Sequence, residues 1–114
     1  MGSGRKKYLK KLYLGDKAAA VREKILRAVD RDAPFPHLYL ITFASNGVDQ
    51  LDILEARYLS DERISASLPE IVGLAIGRSE AFETVRRIAE DAYRDTGTGD
   101  MVSYLKKRDE TDVN

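Results

Sequence analysis

The stretch Ile71-Val72-Gly73-Leu74-Ala75-Ile76-Gly77, which runs within two residues into a long amphipathic segment, constrains the fold more than any other feature. Seven uncharged residues rich in branched side chains read as a strand buried on both faces. Strict alternation puts Gly73, Ala75 and Gly77 on one face and Val72, Leu74 and Ile76 on the other. A face of small residues lets a helix or another backbone come close. Over 79–95 the period changes to that of a helix, with Phe82, Val85, Ile88, Ala89, Ala92 and Tyr93 as its apolar stripe. Ser79 is placed to cap it, Glu80 and Glu83 suit its positive end, and Gly97 suits a left-handed C-terminal cap.

The segments before this unit supply the rest of the layers. Asp16 opens a helix over about 16–31, with Ala18, Val21, Ile25, Leu26, Ala28 and Val29 on one side. Pro34 and Pro36 end it. Residues 37–44 read as a strand with both faces apolar: Leu38 and Leu40 on one, Tyr39, Ile41 and Phe43 on the other. Asn46-Gly47 is a turn signal, because that pair accepts positive φ cheaply. It favours a second strand over 50–56, although Leu51, Leu54 and Tyr58 also fit a helical face. Residues 60–69 read as a polar loop, 101–105 as a last short strand, and 106–114 as a polar tail.

The expected fold is α+β: a two-layer sandwich, a small mixed sheet of three to four strands with two main helices, in the order α-β-β-β-α-β. At 114 residues it fits one domain, spanning 15–105. Residues 1–14 form a flexible basic arm ahead of it, and 1–4 look like an expression remnant. No apolar run approaches the roughly 20 residues of a membrane span. The chain has no cysteine, so disulfides, thiolate metal sites and a cysteine nucleophile are excluded, and a cytoplasmic location is expected. The net charge is zero but unevenly spread: residues 1–57 carry 11 basic and 7 acidic side chains, and 58–114 carry 8 basic and 12 acidic. That balance differs from the basic excess of a dedicated nucleic-acid binder.

Each chemical feature has a functional and a plain structural reading. At Gly77-Arg78-Ser79 a helix N-terminus, a glycine and a cation can receive an anion, or the three form an ordinary capped turn. The stretch departs from a P-loop in glycine spacing, in arginine for lysine, and in being strand rather than loop. The basic residues Arg5, Lys6, Lys7, Lys10 and Lys11, interleaved with Tyr8, Leu9, Leu12 and Tyr13, suit a nucleic-acid backbone or an anionic membrane surface. Equally, Leu9, Leu12 and Tyr13 can pack that segment on the core as a short helix or an extended arm. His37, the single histidine, is either a general base or a strand-end residue. Asp49, Asp52 and Glu55 converge on a cation only if 50–59 is helical. Tyr39, Ile41 and Phe43 are a partner surface if helices leave that face open, and core if they do not.

The pattern Tyr39-Leu40-Ile41-Thr42, Leu51-Asp52-Ile53, Ile71 to Gly77, Glu80-Ala81, Val85, Tyr93-Arg94, Thr96-Gly97 and Tyr104-Leu105 resembles a family of small uncharacterised bacterial single-domain proteins. The resemblance covers about residues 8–105 and implies a bacterial intracellular domain without an assigned activity. With no catalytic, metal or cofactor constellation in the sequence, the expected function is a non-enzymatic binding or protein-interaction module, self-associating or holding a protein partner through the sheet face or a strand edge. The alternatives are an anion-binding protein or enzyme using the helix N-terminus at Ser79, and nucleic-acid association through the basic arm.

Overall fold

The computed structural model describes residues 6–111. In chain order these form β1 (Tyr8–Leu14), α1 (Asp16–Ala20), α2 (Arg22–Asp30), β2 (Leu38–Phe43), β3 (Leu51–Glu55), a 3-10 turn (Ala56–Ser60), α3 (Glu62–Ala66), β4 (Ile71–Ile76), α4 (Arg78–Thr96) and α5 (Met101–Thr111). The strands make one open mixed sheet in the order β1-β4-β2-β3. β1 runs parallel to β4, while β2 is antiparallel to both β3 and β4. The fold is therefore the α+β sandwich expected from the sequence, and the strand at 71–76 lies inside the sheet, as its uncharged run requires.

Apolar packing is divided by the pleat. Leu40 and Ile41 are consecutive and point to opposite faces, each fully buried. On one face Leu38, Leu40, Ile71 and Leu74 pack under Ala18, Ile25 and Val29 of the first two helices, with Ala56 and Leu59 of the 3-10 turn. On the other, Ile41, Val72, Leu9 and Tyr13 pack under Ile88 and Ala92 of α4 and Tyr104 and Leu105 of α5. Ile41 pairs with Gly73, yet Thr42 pairs with Ile71, so β4 carries one extra residue there. This bulge turns Val72 toward Ile41 instead of leaving it beside Leu74 and Ile76, where simple alternation would put it. Gly73 is needed at this point: a Cβ on it would sit 3.0 Å from the Tyr13 carbonyl oxygen and 3.3 Å from Ile41.

Several expected elements differ. Tyr8–Leu14 is not part of a flexible arm but the edge strand of the sheet, held because Leu9 and Tyr13 are buried. Its register with β4 advances five residues, from Tyr8 to Tyr13, against two on β4, from Ile71 to Gly73. The distended middle is pinned by α5: Asp109 accepts from the Lys10 and Lys11 amides at 2.7 and 3.4 Å, and Arg108 donates to the Lys11 carbonyl. The helix expected over 16–31 breaks at Val21, whose φ of −126° and ψ of 32° separate α1 from α2. The 60–69 loop contains α3, capped by Asp61. Residues 101–105 are helix, not strand, and α5 continues to Thr111 through most of the supposed tail. Asp100 starts it by accepting from the Ser103 amide and hydroxyl, while Gln50 Oε1 accepts from the Met101 amide. The remnant expected at 1–4, Arg5 and the last residues of the tail lie outside the described residues. Among the described residues no helix is long and apolar enough to cross a membrane.

Candidate interaction surface

Beside the junction at 77–79, the end of β4 and the first turn of α1 hold a carboxylate that the protein itself supplies. Glu80 accepts from the amides of Ile76 (2.8 Å), Lys17 (2.9 Å) and Ala18 (3.2 Å). Burial alone would raise its pKa, but the three amide donors bring it below the ordinary value. Gly15 makes room: a Cβ there would lie 2.2 Å from the Glu80 side chain. Gly15, not Asp16, precedes the first turn of α1, and Gly77, not Ser79, precedes that of α4. Gly77 adopts φ 93°, donates to the His37 carbonyl at 2.7 Å, and leaves Ser79 exposed as the second helical residue. The Arg78 guanidinium stacks 5.6 Å from the Phe82 ring centroid. The surrounding cleft is lined by Glu80 and Glu83 as well as by Arg78 and Arg87, so its charge is mixed.

The other expected residues are dispersed. Lys6 is buried, with Nζ 2.6 Å from Asp32, which also accepts from Ser65; Lys7, Lys10 and Lys11 are exposed. Ile41 is fully buried beneath α4 and α5, and Phe43, half-buried, packs in the same cluster under the Lys106 ammonium. The face of Tyr39, Ile41 and Phe43 is thus covered at its centre and is core, not a free surface; Tyr39 is half-buried and donates to Glu55. His37 is exposed, its backbone at φ 61°. Asp49 sits in the hairpin loop, where Asn46 Nδ2 donates to it. Asp52 and Glu55 lie on strand β3, three residues apart and so on opposite faces. Among the described residues no group of three or more His, Cys, Asp or Glu is placed to hold a metal.

A polar knot ties β1 to the helices. The buried Tyr13 hydroxyl donates to Asp91 at 2.7 Å and lies 2.7 Å from the Tyr104 hydroxyl. Arg87 and Arg108 stand 5.6 and 4.7 Å from the Tyr13 ring centroid. Burial, then Tyr104 and Asp91, push the Tyr13 phenol well above the ordinary tyrosine value. Arg87 also donates to the Leu14 carbonyl.

The surface that the sequence reading missed is on α4. Ala81, Thr84, Ile88 and Ala92 are its buried face, whereas Phe82 and Tyr93, expected in the buried stripe, are 53% and 65% exposed. A helix turns about 100° per residue, so the arc from Ile88 through Ala92, Val85, Ala89 and Phe82 to Tyr93 is roughly 140° wide. The sheet covers only the part centred on Ala81. The remainder forms a shoulder of Phe82, Ala89 and Tyr93, bordered by Arg86. Arg87 and Asp91, which reach β1, lie on the opposite flank, so the shoulder faces away from β1 toward the β3 side of the sheet. The rim is charged and internally paired: Arg86 bonds both Glu83 and Glu90, and holds Glu83 below the usual carboxylate range. The larger apolar residues had drawn the expected stripe toward 82 and 93. The buried face follows the spacings of three and four from Ala81 through Thr84 and Ile88 to Ala92. No family model, curated protein or solved structure matches the chain.

Proposed function

We propose that this chain is a non-enzymatic protein-interaction module of the bacterial cytoplasm that engages its partner through the shoulder of α4. The observation that carries this reading is the exposure of Phe82 and Tyr93 on one flank of the longest helix, with the small Ala89 between them. The two exposed aromatic side chains share one flank of the helix, about 16 Å apart along its axis at 1.5 Å per residue. Aromatic side chains rimmed by charge are the composition of binding hot spots. The bacterial setting rests on the resemblance noted above, and the cytoplasmic one on the absence of cysteine.

Site-specific photo-crosslinking in cells tests the module. A photoreactive residue at position 82 is expected to give a discrete protein adduct that Tyr93→Glu abolishes. The same residue at Lys24, exposed on α2, gives none. Identical adduct patterns from positions 82 and 24, or no adduct from 82, would overturn the reading.

A further inference from the structure

We infer that Asn46 and Gly47 form a self-modifying site, in which the folded hairpin loop converts the Asn46 side-chain amide to a carboxylate by way of a cyclic imide. The loop brings to this pair the parts that an acyl transfer needs. The nucleophile is the Gly47 backbone nitrogen. Among the described residues it makes no hydrogen bond, and at φ 76° there is open space where a Cβ would stand, so nothing screens it. The electrophile is Asn46 Cγ. Its Oδ1 accepts from the Val48 and Asp49 amides, both at 2.9 Å, and these donors point where negative charge gathers when the carbonyl is attacked. The leaving group is Nδ2, which donates to the Asp49 carboxylate at 2.9 Å. That carboxylate stabilises the nitrogen as it takes on positive charge. Residues 46–49 are exposed, so water reaches the site.

The Gly47 nitrogen bonds to Asn46 Cγ and loses its proton to water. The Cγ–Nδ2 bond then breaks, and Nδ2 takes a proton from water and departs as ammonia. Water next opens the imide at either of its carbonyls. One opening gives aspartate. The other gives isoaspartate, in which the main chain runs through the side-chain carbon. Nothing is oxidised or reduced, and water is the one co-reactant. A loose chain must find the polarised carbonyl and the stabilised leaving group by chance, whereas this turn holds both in place. Either product sets a second negative charge beside Asp49 in place of the donor that now holds it. Isoaspartate also lengthens the main chain close to Gln50, whose Oε1 accepts from the Met101 amide at the start of α5.

The chain has two asparagines, Asn46 and Asn114, and one glutamine, Gln50, so peptide mass spectrometry assigns the change without ambiguity. The purified full chain and a synthetic peptide of residues 43–51 are aged in the same mildly alkaline buffer. Conversion of Asn46 to the acid, with release of ammonia, should be at least about tenfold faster in the chain than in the peptide. An isoaspartyl methyltransferase should label the aged chain and not the fresh one. Asp49→Ala should slow the chain toward the rate of the peptide while leaving the far-ultraviolet circular dichroism unchanged. A chain that reacts at the peptide's rate or more slowly, or an Asp49→Ala chain that reacts as fast as the parent, would overturn the inference.

Discussion

Replacing Gly15 by alanine should destabilise the protein, and replacing Glu80 first should make the same change harmless. Gly15 has φ −67° and ψ 163°, an extended conformation that alanine adopts without strain. The cost of Gly15→Ala must then come from its Cβ, placed 2.2 Å from the Glu80 side chain, which would have to leave its three amide donors. Bonds from an amide to a carboxylate are each worth more than a neutral pair, and part of the loss is regained from water; Glu80→Ala should cost about 2–4 kcal/mol. With a urea slope of about 1.5 kcal/mol/M, the unfolding midpoint should fall by roughly 1–3 M. Gly15→Ala should cost about as much in the parent chain. In the Glu80→Ala background it should be neutral or slightly stabilising, since alanine restricts the unfolded chain. The coupling energy of the double-mutant cycle should be about 2–4 kcal/mol. Urea unfolding followed by circular dichroism measures all four proteins. Because the folded Glu80 pKa lies below its ordinary 4.5, its stabilisation is present above that value and is lost as the pH falls through the folded value. The Glu80→Ala deficit should accordingly be full at pH 7 and shrink in acid. A Gly15→Ala cost that is the same in both backgrounds, or a deficit independent of pH, would refute the lock.

The remaining expectations concern the sheet. Tyr13→Phe removes a buried hydroxyl shared by Asp91 and Tyr104 and should cost about 1–2 kcal/mol in urea unfolding. The raised Tyr13 pKa means its stabilisation is present below the ordinary tyrosine value and lost as the pH rises through the folded one. The phenylalanine variant should therefore show less alkaline destabilisation than the parent, and equal pH profiles would count against the knot. Gly73→Ala should cost about 1–3 kcal/mol, because the neighbouring Tyr13 oxygen belongs to backbone and cannot easily give way; an unchanged thermal midpoint would contradict the close approach.

The elements legible in the sequence were those whose signal is local. The uncharged run at 71–76, the prolines before β2, the Asn46-Gly47 turn and Gly97 each fix backbone conformation through their own chemistry. What was hidden depends on partners distant in the chain. Tyr8–Leu14 is a strand because β4 offers an edge 63 residues further on from Tyr8, to Ile71. The bulge at Val72 follows from two neighbouring strands at once. Helix α5 is started by Asp100 and by Gln50, which lies 51 residues before Met101 just ahead of β3, and that second contact has no local sequence signal. The expected anion place at Gly77-Arg78-Ser79 is a reading of one segment, whereas the carboxylate of Glu80 beside it is held by the amides of Ile76, Lys17 and Ala18, two of them from the start of α1. The α4 shoulder was hidden because the apolar arc is wider than the sheet that covers it; sequence shows the arc, and only packing shows where it is left bare.

The pinning of β1 by Asp109 and Arg108 has a consequence for how copies can aggregate. A sheet with two free edges can add chains at both and grow without end. Here one edge has its amides at Lys10 and Lys11, and the carbonyl of Lys11, already occupied by α5, while among the described residues nothing pairs with the outer edge of β3. A molecule with a single open edge can join one other such molecule and then has no edge left to offer. Edge-to-edge addition is therefore hindered on the β1 side at Lys10 and Lys11, where the last helix stands against fibre growth.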